Sequence, residues 1–205
     1  MSSARVVLFG GTFDPVHLGH LAVATQVVTL LGVDSVTFLV ANTPGERKDV
    51  HAPAATRLAM VRAAVDADPR FSVDDREIRR GGITYTADTM DALHAETPDT
   101  EFDLLIGADS ARAIRAWRHG GALLNRERFV IVNRAGTEPL TRDDAVRLGY
   151  DTSRTTLLHI DSPPVSASDI RLRAARGLTL AGLVPPPVEV IIRRERLYAD
   201  VSGGA

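Results

Sequence analysis

Apolar residues along this chain come in two rhythms. Short apolar-rich runs at residues 6–9, 34–40, 71–73, 102–106, 129–132 and 156–160 have the length and the Val, Ile, Leu and Phe content of buried strands. Between them lie stretches with helical spacing. Residues 19–31 form one, ended near Gly32, and residues 54–66 place Leu58, Val61 and Val65, with Met60 and Ala64, along a helix that Asp68-Pro69 stops. The pattern further predicts a helix over 84–93 that starts near Thr86, a short helix over 110–117, and helices over 166–175 and 187–196. Residues 41–53 read as a polar loop, 76–82 as a charged connection and 201–205 as a frayed end. Strands alternate with helices through the first two-thirds of the chain. That order predicts an α/β, Rossmann-like doubly wound fold with a mostly parallel sheet and helices on both faces. The part after Pro163-Pro164, about residues 163–200, reads as a small helical C-terminal segment of a single domain spanning 1–205.

Composition narrows the classes. At 205 residues and 44% hydrophobic the chain can bury a sizeable core. A net charge of −2 argues against a nucleic-acid polymer as partner, while a small phosphorylated substrate needs only a local positive patch. There is no cysteine, hence no disulfide, zinc-thiolate site or thiol nucleophile. No uncharged apolar run approaches the roughly 20 residues that span a bilayer, so no membrane association is expected. Met1-Ser2-Ser3-Ala4-Arg5 leads straight into a strand and does not read as a signal peptide, so a cytoplasmic location is expected. A homo-oligomer stays open.

The chemistry concentrates at the first strand-to-helix turn, Gly10-Gly11-Thr12-Phe13-Asp14-Pro15-Val16-His17-Leu18-Gly19-His20. Glycines there let a phosphate approach the backbone, and the following helix offers unpaired N–H groups and a partial positive charge. His17 and His20 are three apart, so on a helical first turn they point the same way and offer imidazole N–H donors to phosphate oxygens. The turn is not a Walker loop, since no Gly-Lys-Ser/Thr follows, and the dinucleotide fingerprint Gly-x-Gly-x-x-Gly is absent.

This string resembles the signature of the His-x-Gly-His nucleotidyltransferase superfamily, and in its longer form that of the bacterial nicotinate mononucleotide adenylyltransferases. The resemblance runs from about residue 5 to 198. It implies that His17, His20 and Arg171 are catalytic and that Gly10, Gly11, Thr12 and Phe13 bind ATP. Five further stretches match in order. Gly82-Ile83-Thr84-Tyr85-Thr86 resembles the segment that receives the nicotinate carboxylate; the plainer alternative is a Thr-capped helix. Gly107-Ala108-Asp109 ends a buried strand, where Asp109 is placed either to accept from ribose hydroxyls or to cap the next helix. Trp117 matches a Trp that stacks on the pyridine ring in the family, worth about 0.5–2 kcal/mol by analogy with cation–π contacts; a core Trp is the alternative.

Val165-Ser166-Ala167-Ser168-Asp169-Ile170-Arg171 resembles the family's Ile-Ser-Ser-Thr-x-Ile-Arg, with Ser166 and Ser168 to hold ATP's terminal phosphates and Arg171 to bridge them. A capping box is the alternative, weakened when counted from Ser168, since Asp169 follows it directly. Val184-Pro185-Pro186-Pro187-Val188, with Leu197-Tyr198, matches the family's ending. One region departs. Val40 stands where the family has a Pro, and Thr43-Pro44-Gly45-Glu46-Arg47-Lys48 replaces a Pro-Pro-His-Lys stretch. By spacing from Arg57, Arg47 falls on the family Lys, with Lys48 beside it as a second candidate for the substrate phosphate.

The implied reaction is attack of a mononucleotide phosphate on the α-phosphorus of ATP, with pyrophosphate leaving. A phosphate is already a nucleophile, so the protein need only position two anions in line and stabilise developing charge. Mg²⁺ would be held mainly through ATP phosphates and water, with no metal site of the protein's own. Two other readings remain open at this point: the same chemistry on nicotinamide mononucleotide or a specialised-pathway nucleotide, and a catalytically silent nucleotide-binding regulator.

Overall fold

The computed structural model describes residues 4–45, 50–134 and 138–199. Six parallel strands carry the fold. In chain order the elements are β1 (Ala4–Gly11), α1 (Leu18–Leu31), β2 (Val36–Val40), the two-residue β3 (Thr43–Pro44), α2 (Ala54–Val65), β4 (Phe71–Asp74) and α3 (Arg76–Arg80). Then come the two-residue β5 (Ile83–Thr84), α4 (Thr86–Glu96), β6 (Thr100–Gly107), α5 (Ala108–Arg112), a 3₁₀ turn (Ile114–Ala116) and α6 (Gly120–Arg126). The chain continues through β7 (Arg128–Arg134), α7 (Arg142–Leu148), β8 (Thr155–Ile160), α8 (Ala167–Ala175) and α9 (Pro186–Arg194).

The main sheet runs β4-β2-β1-β6-β7-β8, and β3 pairs with β5 apart from it. Every ladder is parallel, with Phe9 beside Phe38 on one flank and beside Leu105 on the other. Strand order reverses at β1, so a crevice opens where the carboxyl ends of β1 and β6 diverge, the place where open α/β sheets bind ligands. Gly10 and Gly11 close β1 on that side, paired with Leu39 and Val40.

Because side chains alternate along a strand, each strand feeds two cores. Val7, Leu105 and Val130 face one side, with Val23, Val27, Met60, Val61 and Ile192 from α1, α2 and α9. Leu8, Leu104 and Ile131 face the other, with Met90, Leu93, Ile114 and Leu123. Each large side chain buried there contributes about 1.5–3 kcal/mol. No helix among the described residues is long and apolar enough to cross a membrane.

Three helices stand where the pattern gave none. The charged connection at 76–82 contains α3, because Glu77 turns inward and accepts from Thr89 Oγ1 at 2.7 Å. Near the start of α6 the local signal is two glycines, yet tertiary packing requires one of them. A Cβ on Gly120 would lie 1.9 Å from the Ile114 carbonyl oxygen. α7 carries a legible signal, Thr141-x-x-Asp144: Asp144 N–H donates to Thr141 Oγ1 at 3.1 Å, and Thr141 N–H donates to Asp144 Oδ2 at 2.9 Å. The Thr141 bonds hold the Asp144 carboxyl down at about 2. The helix expected over 110–117 is instead α5 followed by the 3₁₀ turn, with Ala113 N–H shared between the Asp109 and Ser110 carbonyls. The segment 201–205 lies outside the described residues.

Candidate active site

The turn after β1 is shaped by Phe13, a non-glycine residue with φ of 50° whose buried ring folds back under the glycines. A Cβ at Gly11 would lie 2.8 Å from that ring, so a side chain at position 11 would displace Phe13. Phe13 then meets His20 edge-on at 5.1 Å and Phe9 at 5.6 Å. His17 occupies the cap position of α1, and its ring stacks on His20 at 3.7 Å with 24° between the planes. His17 N–H donates to His20 Nδ1 at 3.2 Å, which leaves Nε2 to carry the proton of a neutral His20 ring. The two imidazoles expected to point together therefore do, at the amino end of a fourteen-residue helix.

The other half of this region comes from α8. Ser166 caps the helix, its hydroxyl accepting from Asp169 N–H at 3.1 Å. The capping spacing thus runs from Ser166 to Asp169 and not from Ser168, and the cap is present. Arg171 Nη2 donates to Ser168 Oγ at 3.3 Å, and Nη1 reaches across to the Asp14 carbonyl at 2.8 Å. Arg171 Nε is buried with no hydrogen-bond partner. A guanidinium pinned by its tip to the Gly-rich turn, with one donor unused, suits an anion that would complete its fork.

Three residues that the motif reading left without a role complete this region. Asp14 is buried, and its carboxylate accepts from His51 N–H at 2.7 Å, Ala52 N–H at 3.2 Å and the Tyr198 hydroxyl at 2.8 Å. Arg57 is fully buried and donates to backbone carbonyls only: Ala52 at 3.1 Å, Thr12 and Ala41 at 2.7 Å each, and Asn42. Burial pulls the Arg57 guanidinium down from its ordinary pKa, and the nearby Asp14 carboxylate opposes that. Burial, reinforced by Asp14, pushes the Tyr198 hydroxyl far up, so it remains a donor.

The other candidate residues gather at a second, lighter region. Thr84 Oγ1 accepts from Asn42 N–H at 3.0 Å, and Asn42 Nδ2 donates to the Gly82 carbonyl at 2.7 Å. Tyr85, not a Thr, occupies the cap position of α4, and no side chain caps it. The Thr-cap alternative is thereby set aside, and Thr86 opens the helix with Asp88 in its first turn. Arg118 sits over the Tyr85 ring at 4.5 Å and lies 3.6 Å from Asp88, and the half-buried Trp117 before it packs against the core cluster of Met90, Leu93 and Ile114. Asp109 is not a cap either: Gly107 holds that position, and the Asp109 carboxylate is exposed at the carboxyl end of β6, 3.6 Å from Arg112. A cavity of about 460 Å³ opens between Asn42, Thr43, His51, Pro53 and Ala54. Arg47 and Lys48 lie outside the described residues.

Among the described residues no three His, Cys, Asp or Glu are grouped to hold a metal ion. The donors facing the turn are imidazoles, a guanidinium and hydroxyls, and both oxygens of the one buried carboxylate there are already engaged. That set does not fit a magnesium cage built by the protein.

The sequence profile described as cytidylyltransferase-like matches residues 8–173. A probable nicotinate-nucleotide adenylyltransferase of Symbiobacterium thermophilum is 44% identical over 198 residues, covering 95% of each chain. The chain belongs to the nicotinate-nucleotide adenylyltransferase family. Another member, from Mycobacterium avium, is 39% identical over 96% of this chain and 93% of its own. A solved member, the Plasmodium falciparum nicotinic acid mononucleotide adenylyltransferase complexed with NaAD, superposes with a TM-score of 0.80 at 17% identity, covering 96% of this chain and 98% of its own. That likeness establishes the shared fold, and the family resemblance read from the motifs of this sequence is confirmed by the relatives' identity over nearly the full chain.

Proposed function

We infer that this chain transfers the adenylyl group of ATP to nicotinate mononucleotide, forming nicotinate adenine dinucleotide and pyrophosphate. The observation that carries the assignment of roles is that the turn leading into the His17–His20 stack also receives Arg171, whose Nη1 donates to the Asp14 carbonyl at 2.8 Å. In the reaction a phosphate oxygen of the mononucleotide bonds to the α-phosphorus of ATP, and the bond from that phosphorus to the bridging oxygen of pyrophosphate breaks. No proton needs to be removed from the nucleophile, which agrees with a region holding donors and no unengaged buried carboxylate.

In this reading Gly10, Gly11, Thr12 and Phe13 form the ATP cradle, and His17 and His20 donate to the phosphate oxygens where charge accumulates. Arg171, with Ser166 and Ser168, holds the leaving pyrophosphate; a planar fork matches two oxygens at once. Ser166 contributes chiefly through the helix end it caps. Magnesium enters with ATP, carried by the phosphates. Trp117 is the stacking platform for the pyridine, and the uncapped start of α4 at Thr84, Tyr85 and Thr86 receives its carboxylate. Asp109 faces the ribose, and Arg47 or Lys48 the mononucleotide phosphate. Both cores share one sheet, which supports treating residues 1–205 as one catalytic domain.

Pyrophosphate release with ATP and each mononucleotide tests the reading. N–H donors favour the carboxylate, whereas an amide turns its own NH₂ toward them and leaves groups unpaired. Loss of two such bonds at about 1–3 kcal/mol each predicts a preference for the nicotinate form of about a hundredfold or more in kcat/KM. Equal or better use of nicotinamide mononucleotide overturns the acceptor and leaves adenylyl transfer standing. Turnover of neither overturns the pyridine assignment.

A further inference from the structure

Asp14 and Tyr198 take no part in the chemistry above, yet each is tied to the residues that do. The Asp14 carboxylate meets three donors, and the carbonyl of the same residue receives Arg171. Only a group that accepts at both side-chain oxygens satisfies that set; an amide would turn a donor against the N–H groups of the His51–Ala52 backbone. Two residues away Arg57 holds the Thr12 carbonyl at 2.7 Å, so the backbone is pinned on both sides of Phe13.

The backbone supplies an independent sign. Phe13, next to Asp14, has φ of 50°, and Tyr198 and Arg196 have φ of 69° and 49°. Bulky residues avoid this left-handed region, and it persists where surrounding contacts over-determine it. The Tyr198–Asp14 bond thus joins two such segments, 184 residues apart in sequence, at a point where Tyr198 is 6% exposed.

We propose that Asp14 and Tyr198 are positioning residues for adenylyl transfer: the Tyr198 hydroxyl holds the Asp14 carboxylate, and the carbonyl of that residue in turn aims the Arg171 guanidinium. The proposal rests on the reading that Arg171 binds the phosphates of ATP. Its effect belongs in turnover, because the misplaced group acts on charge that develops as pyrophosphate leaves.

The test compares Tyr198→Phe, Tyr198→Leu, Arg171→Ala and the Tyr198→Phe/Arg171→Ala double variant, with kcat, KM for each substrate and Tm measured for all. Tyr198→Phe keeps the buried ring and removes only the hydroxyl. It is expected to lower kcat about tenfold, with KM for the mononucleotide unchanged and Tm nearly so. Tyr198→Leu should lose similar kcat while losing much more Tm. In the Arg171→Ala background, Tyr198→Phe should cost nothing further, since its effect passes through a group already removed. Full kcat in Tyr198→Phe, a kcat loss that follows Tm across the two Tyr198 variants, or equal losses in both backgrounds would each overturn the proposal. If Arg171→Ala alone retains kcat, the phosphate role of Arg171 falls and this proposal with it. If Arg171→Ala is impaired and Tyr198→Phe is not, only this proposal falls.

Discussion

The regions proposed to bind the phosphates and the acceptor are built to different standards. Around the Gly-rich turn, a fully buried guanidinium bonded to four carbonyls, a carboxylate with three donors and a stacked imidazole pair fix nearly every atom. Around Thr84 and Tyr85, a two-residue strand pair, the two Asn42 bonds to Thr84 Oγ1 and the Gly82 carbonyl, and a cation over the half-buried Tyr85 ring do the holding. The triphosphate half of the substrate is the same for any adenylyl transfer, so rigidity there serves the reaction itself. On the proposed assignment the acceptor half meets the ring that must be discriminated, and it is also where the chain departs from its family's usual loop. Preorganisation and adaptability are thus assigned to opposite sides of one crevice.

The largest effect should come from breaking the rigid side at its centre. Arg57→Met removes a charge that four buried carbonyls and Asp14 depend on, and should cost about 3–5 kcal/mol of unfolding free energy, the scale of leaving buried charge unpaired. Urea denaturation measures it, and a loss under 1 kcal/mol, on the scale of a surface substitution, would show that the hub is not what stiffens this region. Next in size, His20→Ala should keep the fold and lower kcat by about two to three orders of magnitude, as for loss of a donor to a developing anion. A folded variant with near-normal turnover removes His20 from the chemistry.

On the lighter side, effects should be smaller and appear in KM. Trp117→Ala is expected to raise KM for the mononucleotide by an amount corresponding to about 0.5–2 kcal/mol, with ATP kinetics and Tm little changed. A fall in Tm of many degrees with unaltered KM would return Trp117 to the core. The smallest effect concerns pH. Burial raises the Glu77 carboxyl above its ordinary value, although the Thr89 hydroxyl donates to it. The folded state therefore holds that proton to higher pH than the unfolded chain, and stability falls as pH rises through the raised value. Glu77→Gln should lack this slope, so its urea midpoint should gain on the unsubstituted protein between acid and neutral pH. Parallel midpoints would exclude Glu77 as the origin of any pH dependence.

The sheet, the first turn and the Ser166–Arg171 segment were legible because their signals are local: apolar runs of strand length, a specified string and a Ser-Pro-bounded helix start. The Thr141–Asp144 cap is an equally local signal. Gly120 hid α6 because the reason for a glycine there is the Ile114 carbonyl above it, a contact that no window of sequence displays. The hub was out of reach for a related reason. Asp14, Arg57 and Tyr198 are ordinary at their own positions, a turn Asp, a helix Arg and a Tyr after the last helix, and only the fold brings them within hydrogen-bond distance. The departure at residues 40–48 was visible as a departure, and its residues 46–49 remain outside the described part of the chain.

The same bond between Asp14 and Tyr198 also orders events in time. The Gly-rich turn is synthesised well before its partner, and the hydroxyl that fixes it emerges 184 residues later. At about 5–20 residues per second that interval is about 10–40 s. Through it the nascent protein carries its Gly-rich turn without the bond that fixes it, and a finished crevice is a property of the chain after residue 198 has been released from the tunnel.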